Sequence, residues 1–108
     1  MPNGIDENLV RLTLACAAFR DRHGTWPTEA RVAPIVLWEF AQLLDGENFE
    51  LLCSRMTFRT TARAHIAVGN AVSHLVYGQS GAKSDPRTVE EVRVWLGVSV
   101  RPELRHLE

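Results

Sequence analysis

Residues 63–78 read "RAHIAVGNAVSHLVYG", and the fold turns on whether they form a helix or a β-hairpin. Gly69-Asn70 sits in mid-segment, and either residue tolerates the positive φ that a two-residue primed turn requires. Such a turn sets residue 68 opposite 71 and His65 opposite His74. The competing helix rests on Ala64, Val68, Ala71, Val72, Leu75 and Val76, which share one helical stripe with Ile66 as the main exception. A Gly-Asn pair inside that helix costs roughly 1 kcal/mol or more against alanine. The hairpin is therefore the expected form, with the helix as its alternative.

Immediately before this stretch the hydrophobic period changes to two. Met56, Phe58, Thr60 and Ala62 alternate with Arg55, Thr57, Arg59, Thr61 and Arg63, as in a strand with one wet face. Further upstream the period is helical. Ile5, Leu9, Leu12, Cys16 and Phe19 mark a helix over about residues 5–23, with acidic residues in its first turn, basic ones in its last, and Gly24 as its stop. "GTWPTEARVAP" (residues 24–34) then reads as a turn and one short strand over 29–33. Pro34 opens a helix over 35–44 that is apolar almost all round and so expected to be enclosed, Trp38 included. Phe49, Leu52, Cys53 and Met56 form a further short apolar stripe, capped near Asp45. Past a loop, Ser84 or Asp85 caps a last helix with Pro86 in its first turn, Val89, Val92 and Leu96 inward, and Gly97 at its end. Residues 98–108 read as an extended tail.

The expected architecture is α+β: four helices packed on one face of a small antiparallel sheet of about three strands, in the order α-β-α-α-β-β-β-α. Residues 1–106 form a single globular domain, and Leu107-Glu108 resembles a vector-derived dipeptide. A chain of 108 residues with 45% hydrophobic and 23% charged content is ordinary for such a domain. Its net charge of −1 gives no global attraction to nucleic acid or anionic lipid, so any such attraction is local. No apolar run approaches membrane-spanning length, and the N-terminus lacks a secretory pattern. The setting expected is the cytoplasm of a bacterium, with Cys16 and Cys53 as two buried, unpaired thiols.

Three features bear on function. The first is a one-signed stretch: between Leu51 and Ser84 there is no Asp or Glu, while Arg55, Arg59 and Arg63 recur. On one strand face Arg55, Arg59, Arg63 and His65 would form a basic row, with alternate residues about 7 Å apart. That row suits phosphates or a protein partner, unless its charges pair with Glu47, Glu50 or Glu90. It lacks the aromatic interleaving used to stack bases. The second feature is the pair His65 and His74, whose Cβ atoms would stand about 4.5–5.5 Å apart across the hairpin. Arg63 and aliphatic neighbours are poor company for a cation, so no metal is expected, and a small metal-dependent enzyme built on this pair is the alternative. The third is Trp26, in a turn beside Pro27, either capping the core or anchoring a partner.

No catalytic set is discernible: the serines lack a nucleophile-elbow context, and "YGQSGAKS" (residues 77–84) is not a phosphate loop. No cofactor is expected. The leading expectation is a binding or regulatory module that acts through a protein or nucleic-acid partner on its basic sheet face. A homodimer through the apolar helix 35–44 is a further expectation. Eleven of the twelve basic residues are arginine, which suits carboxylate or phosphate recognition but equally follows from a GC-rich coding bias.

Overall fold

The computed structural model describes residues 7–78 and 85–98. Its elements are α1 (Glu7–His23), β1 (Glu29–Val32), α2 (Pro34–Leu43), α3 (Gly46–Arg55), β2 (Thr57–Thr60), β3 (Ile66–Gly69), β4 (His74–Val76) and α4 (Pro86–Leu96). This is the α+β order expected. Residues 79–84 of the loop read at 78–86 and residues 99–108 of the tail read at 98–108 lie outside the described residues. Among the described residues no helix is long and apolar enough to cross a membrane.

Helix ends follow the local chemistry. The Asp45 carboxylate accepts from the Asn48 N–H at 2.8 Å and that of Asp85 from the Arg87 N–H at 2.9 Å, starting α3 and α4. Pro34 and Pro86 occupy first-turn positions, where the missing N–H is no loss. Gly24 and Gly97 end α1 and α4 with φ of 74° and 67°, a conformation that disfavours any side chain with a Cβ.

The sheet departs from expectation. It has four strands in the order β2-β1-β3-β4 rather than three, and it is mixed rather than antiparallel. β1 runs parallel to β2 and antiparallel to β3. Parallel neighbours need a long crossover, and α2 with α3 supply it.

Ala30, Val32, Ile66, Val68 and Leu75 form the inner face of the sheet and pack against Leu12, Cys16, Phe19, Val36, Phe40, Leu52, Val92 and Leu96. Two polar ties join the helices, one buried at Asn8 and one at the surface at Asp21. The Asn8 amide donates to Glu39 on α2, while its carbonyl accepts from Arg11 at 3.0 Å and lies 2.8 Å from His65 Nε2. Asp21, in the last turn of α1, accepts from the Asp85 N–H and the Thr88 hydroxyl at the start of α4. A carboxylate is unfavourable at one helix C-terminus and favourable at the next N-terminus, and Asp21 sits where the two meet.

Residues 66–76 are a hairpin, but its turn is not the two-residue one. The register is Gly69↔His74, Val68↔Leu75 and Ala67↔Val76. The loop is Asn70–Ser73, closed by the Asn70 N–H to the Ser73 carbonyl at 2.9 Å. The Asn70 side-chain oxygen accepts from the N–H groups of Val72 and Ser73, each at 2.8 Å. Neither Gly69 nor Asn70 takes a positive φ. Gly69 is needed for close approach instead, because a Cβ there would lie 2.5 Å from the Ser73 carbonyl oxygen and 2.8 Å from His74 Cδ2.

Two further expectations are corrected. α2 buries only Val36, Phe40 and Leu43, leaving Ile35 55% and Trp38 59% exposed. Cys16 is buried but Cys53 is exposed, and both are free thiols.

Gly69→Ala should lower stability by about 1–3 kcal/mol, the usual effect of overpacking. Gly46→Ala, with nothing within 4 Å of the added methyl, serves as the control and should be close to neutral. Equal urea midpoints for the two variants would contradict the close approach. Burial also pushes the Cys16 thiol far above its ordinary range. A thiol reagent should therefore modify Cys53 at once and Cys16 only on unfolding.

Candidate functional site

The helices cover one face of the sheet, and the other face is built in two transverse rows. Alternation along each strand and the observed register put Thr57, Glu29, Gly69 and His74 in one row. Arg59, Arg31, Ala67 and Val76 form the next. Gly69 carries no side chain, and the His74 ring occupies the space above it.

Glu29 is the centre of this face. Its carboxylate accepts from Arg31 Nε at 2.7 Å, with Arg59 Nε 3.8 Å from the same oxygen. The Arg31 hydrogen bond holds the Glu29 carboxyl below the usual carboxylate range. Modest desolvation opposes this, and the charges of Arg31, Arg59 and His74 reinforce it. The result is one carboxylate ringed by three cationic or potentially cationic side chains. Such a cluster suits electrostatic recognition, and it contains no nucleophile paired with a base.

The basic row expected from Arg55, Arg59, Arg63 and His65 does not form. β2 spans only Thr57–Thr60, so Arg59 alone of the four lies on the sheet. Arg55 closes α3, and its guanidinium lies 3.8 Å from the Cβ position of Gly97, beside the C-terminus of α4, where a cation is favourable. Arg63 is exposed in the connection to β3, its N–H bonded to Thr61 Oγ1 at 3.1 Å. His65 is turned to Asn8 on the helical side. The expected carboxylate partners are also replaced: Glu29, not Glu47, Glu50 or Glu90, pairs with Arg59.

His65 and His74 are not opposite each other, because Gly69 is the partner of His74. Among the described residues no group of three or more His, Cys, Asp or Glu is placed to hold a metal ion. Trp26 is half-buried, stacked on Trp95 with ring centroids 4.5 Å apart and the Arg20 guanidinium 4.4 Å from its ring centre. Trp26 thus packs at the edge of the core, and with Trp95 it also lines a groove bounded by Arg87, Glu90, Glu91 and Val94. A cavity of about 270 Å³ between α1 and α4 is lined mainly by aliphatic side chains, with Arg93 as its charged member.

Glu29 and Arg31 were the residues missed. Their signal was the alternation in "TEARV" (residues 28–32), which puts both on one face of a strand. What makes them central is the pairing of β1 on both sides, and that is long-range.

A carboxyl whose pKa is lowered by folding adds stability above its unfolded value of about 4.3 and loses it as pH falls through the folded value. Arg31→Gln should move the Glu29 carboxyl back up toward that value, followed by carboxyl-carbon NMR titration. Glu29→Gln should remove this part of the acid sensitivity, which lies below about pH 4.3. An unchanged titration in the Arg31 variant would dissolve the cluster as described. Comparison of the chain with protein-family models, curated proteins and solved structures finds no match in any of the three.

Proposed function

We propose that the protein is a non-enzymatic binding module that receives a protein partner on the open face of its sheet. The observation that carries this is the uncovered face itself, with Arg31 and Arg59 exposed around a single carboxylate. Each guanidinium has donors beyond those aimed at Glu29, and carboxylates of a partner are their natural complement. A protein is favoured over nucleic acid for two physical reasons. Glu29 at the centre repels phosphate, and the two rows hold no Phe, Tyr or Trp for bases to stack on, the His74 imidazole being their one aromatic ring. The proposed setting is a bacterial cytoplasm, where the free thiols Cys16 and Cys53 stay reduced.

A second reading, self-association through α2, is favoured by exposed Ile35 and Trp38 lying one turn apart. Tryptophan is the residue type most enriched at interface hot spots.

Two measurements separate these readings. At about 50 mM salt, where phosphate contacts are strongest, random single- and double-stranded nucleic acid should give no gel shift; a shift abolished by Arg31→Glu with Arg59→Glu would replace the protein reading by a nucleic-acid one. In sedimentation over a concentration series the chain should remain monomeric. A dimer that Trp38→Ala dissociates would establish the second reading.

A further inference from the structure

The outer edge of β2 is an unfilled strand position. The N–H groups of Thr57 and Thr61 donate to the carbonyls of Thr28, just before β1, and Val32, at its end, each at 2.9 Å. The alternation of a strand then turns the N–H and C=O groups of Phe58 and Thr60 the other way, off the sheet. β2 is the end strand of the sheet, and among the described residues nothing pairs with that side. β2 is short and Arg59 puts one charge on it, but "TFRT" (residues 57–60) has no proline, no lysine and no bulge to block pairing. β4, at the other end, is only three residues long and has α1 packed against it.

We propose that β2 is completed by an extended, acidic segment of a partner protein, added as a fifth strand. This rests on the reading of the open face as the binding surface and names the chemistry of its occupant. An added strand lies about 4.8 Å from β2, so its outward side chains come beside Arg59. Arg59 is available to them: its side chain is 65% exposed, and the Glu29 oxygen 3.8 Å away is more closely held by Arg31. Arg63 stands exposed just beyond the strand, and no carboxylate occurs from Leu51 through Ser84. On the inner side Phe58 is half-buried against Phe40, so the inward residues of the guest are small or apolar. The recognised pattern is therefore a carboxylate alternating with threonine or an aliphatic residue.

A second copy of the chain fits this edge less well. An antiparallel pairing that uses both outward residues joins Phe58 of one copy to Thr60 of the other. Arg59 then faces Arg59, a like-charge pair directly across strands, which is destabilising.

The test uses the full chain, labelled with ¹⁵N, and two synthetic peptides that alternate threonine and valine with either glutamate or lysine. With the glutamate peptide, the amide signals of Phe58 and Thr60 should shift and their hydrogen exchange should slow. The lysine peptide should leave them unchanged. Arg59→Glu should weaken the glutamate peptide about tenfold, the scale of one charged hydrogen bond, and should admit the lysine peptide. Thr60→Pro removes an outward donor without touching the ladder to β1. It should abolish the response, with retained signal dispersion showing that the chain is folded. Shifts confined to Arg31, Ala67 and His74 would overturn strand addition and leave the open-face reading standing. No response to the glutamate peptide at either place, or equal responses to both peptides, would overturn the two together.

Discussion

The structure depends on β1 being bonded along both of its edges. Because β2 lies parallel on one side and β3 antiparallel on the other, the chain leaves β1 through two helices and returns to the strand beside it. Those helices, with α1 and α4, bury the row Ala30, Val32, Ile66, Val68 and Leu75. All the covering material is then on one side. The opposite face of a four-residue central strand carries no helix, and its two outward residues, Glu29 and Arg31, become the middle of a charged surface. A hydrophobic requirement on one face thus determines where the polar chemistry sits on the other.

The same constraint sorts what was legible in the sequence from what was not. Helix limits were legible because they are written in neighbouring residues: Asp45 and Asp85 accept from the first turns that follow them, and Gly24 and Gly97 take the left-handed stop. The hairpin was legible from the Gly-Asn pair that disfavours a helix there, yet its turn was not. A Gly-Asn pair signals a two-residue turn because both residues tolerate positive φ. Here the glycine stays in the strand to let Ser73 and His74 approach, and the asparagine folds the loop with its side chain. The resulting register differs from the two-residue one by an even number of residues, so the side chains within β3 and β4 keep their faces, whereas His65, just outside β3, does not. The histidine pairing, which depends on the register itself, was lost.

The remaining differences come from contacts between distant segments. A nearly all-apolar helix announces burial without saying how many neighbours it has, and α2 has too few to cover Ile35 and Trp38. The arginine row does not form because the alternation over 55–65 is not one long strand. The α3 helix instead persists through Arg55, and the chain bends away after Thr60. Asn8 illustrates the point in reverse. On its own helix it looks like a surface residue, and it is 93% buried only because Arg11, Glu39 and His65 converge on it. A buried amide with every group occupied restricts how α1, α2 and the segment before β3 can sit together.

The arginine bias can now be divided. At two positions the guanidinium does what an ammonium would not. Arg31 presents a directed Nε–H to Glu29, and Arg20 lies over Trp26 while donating to the Gly24 carbonyl at 2.9 Å. Arg93 forms only a long i,i+3 contact with Glu90 at 3.9 Å, and Arg22 and Arg87 have no ion pair among the described residues. Lysine would serve at those places. A coding bias is therefore sufficient for most of the arginines. It is not sufficient for Arg31, whose hydrogen bond to Glu29 leaves the longer contact to Arg59 as the weaker one. A guest carboxylate at the edge of the sheet would compete against that weaker contact, so the selectivity of the face rests on the geometry of Arg31 as much as on the charge of Arg59.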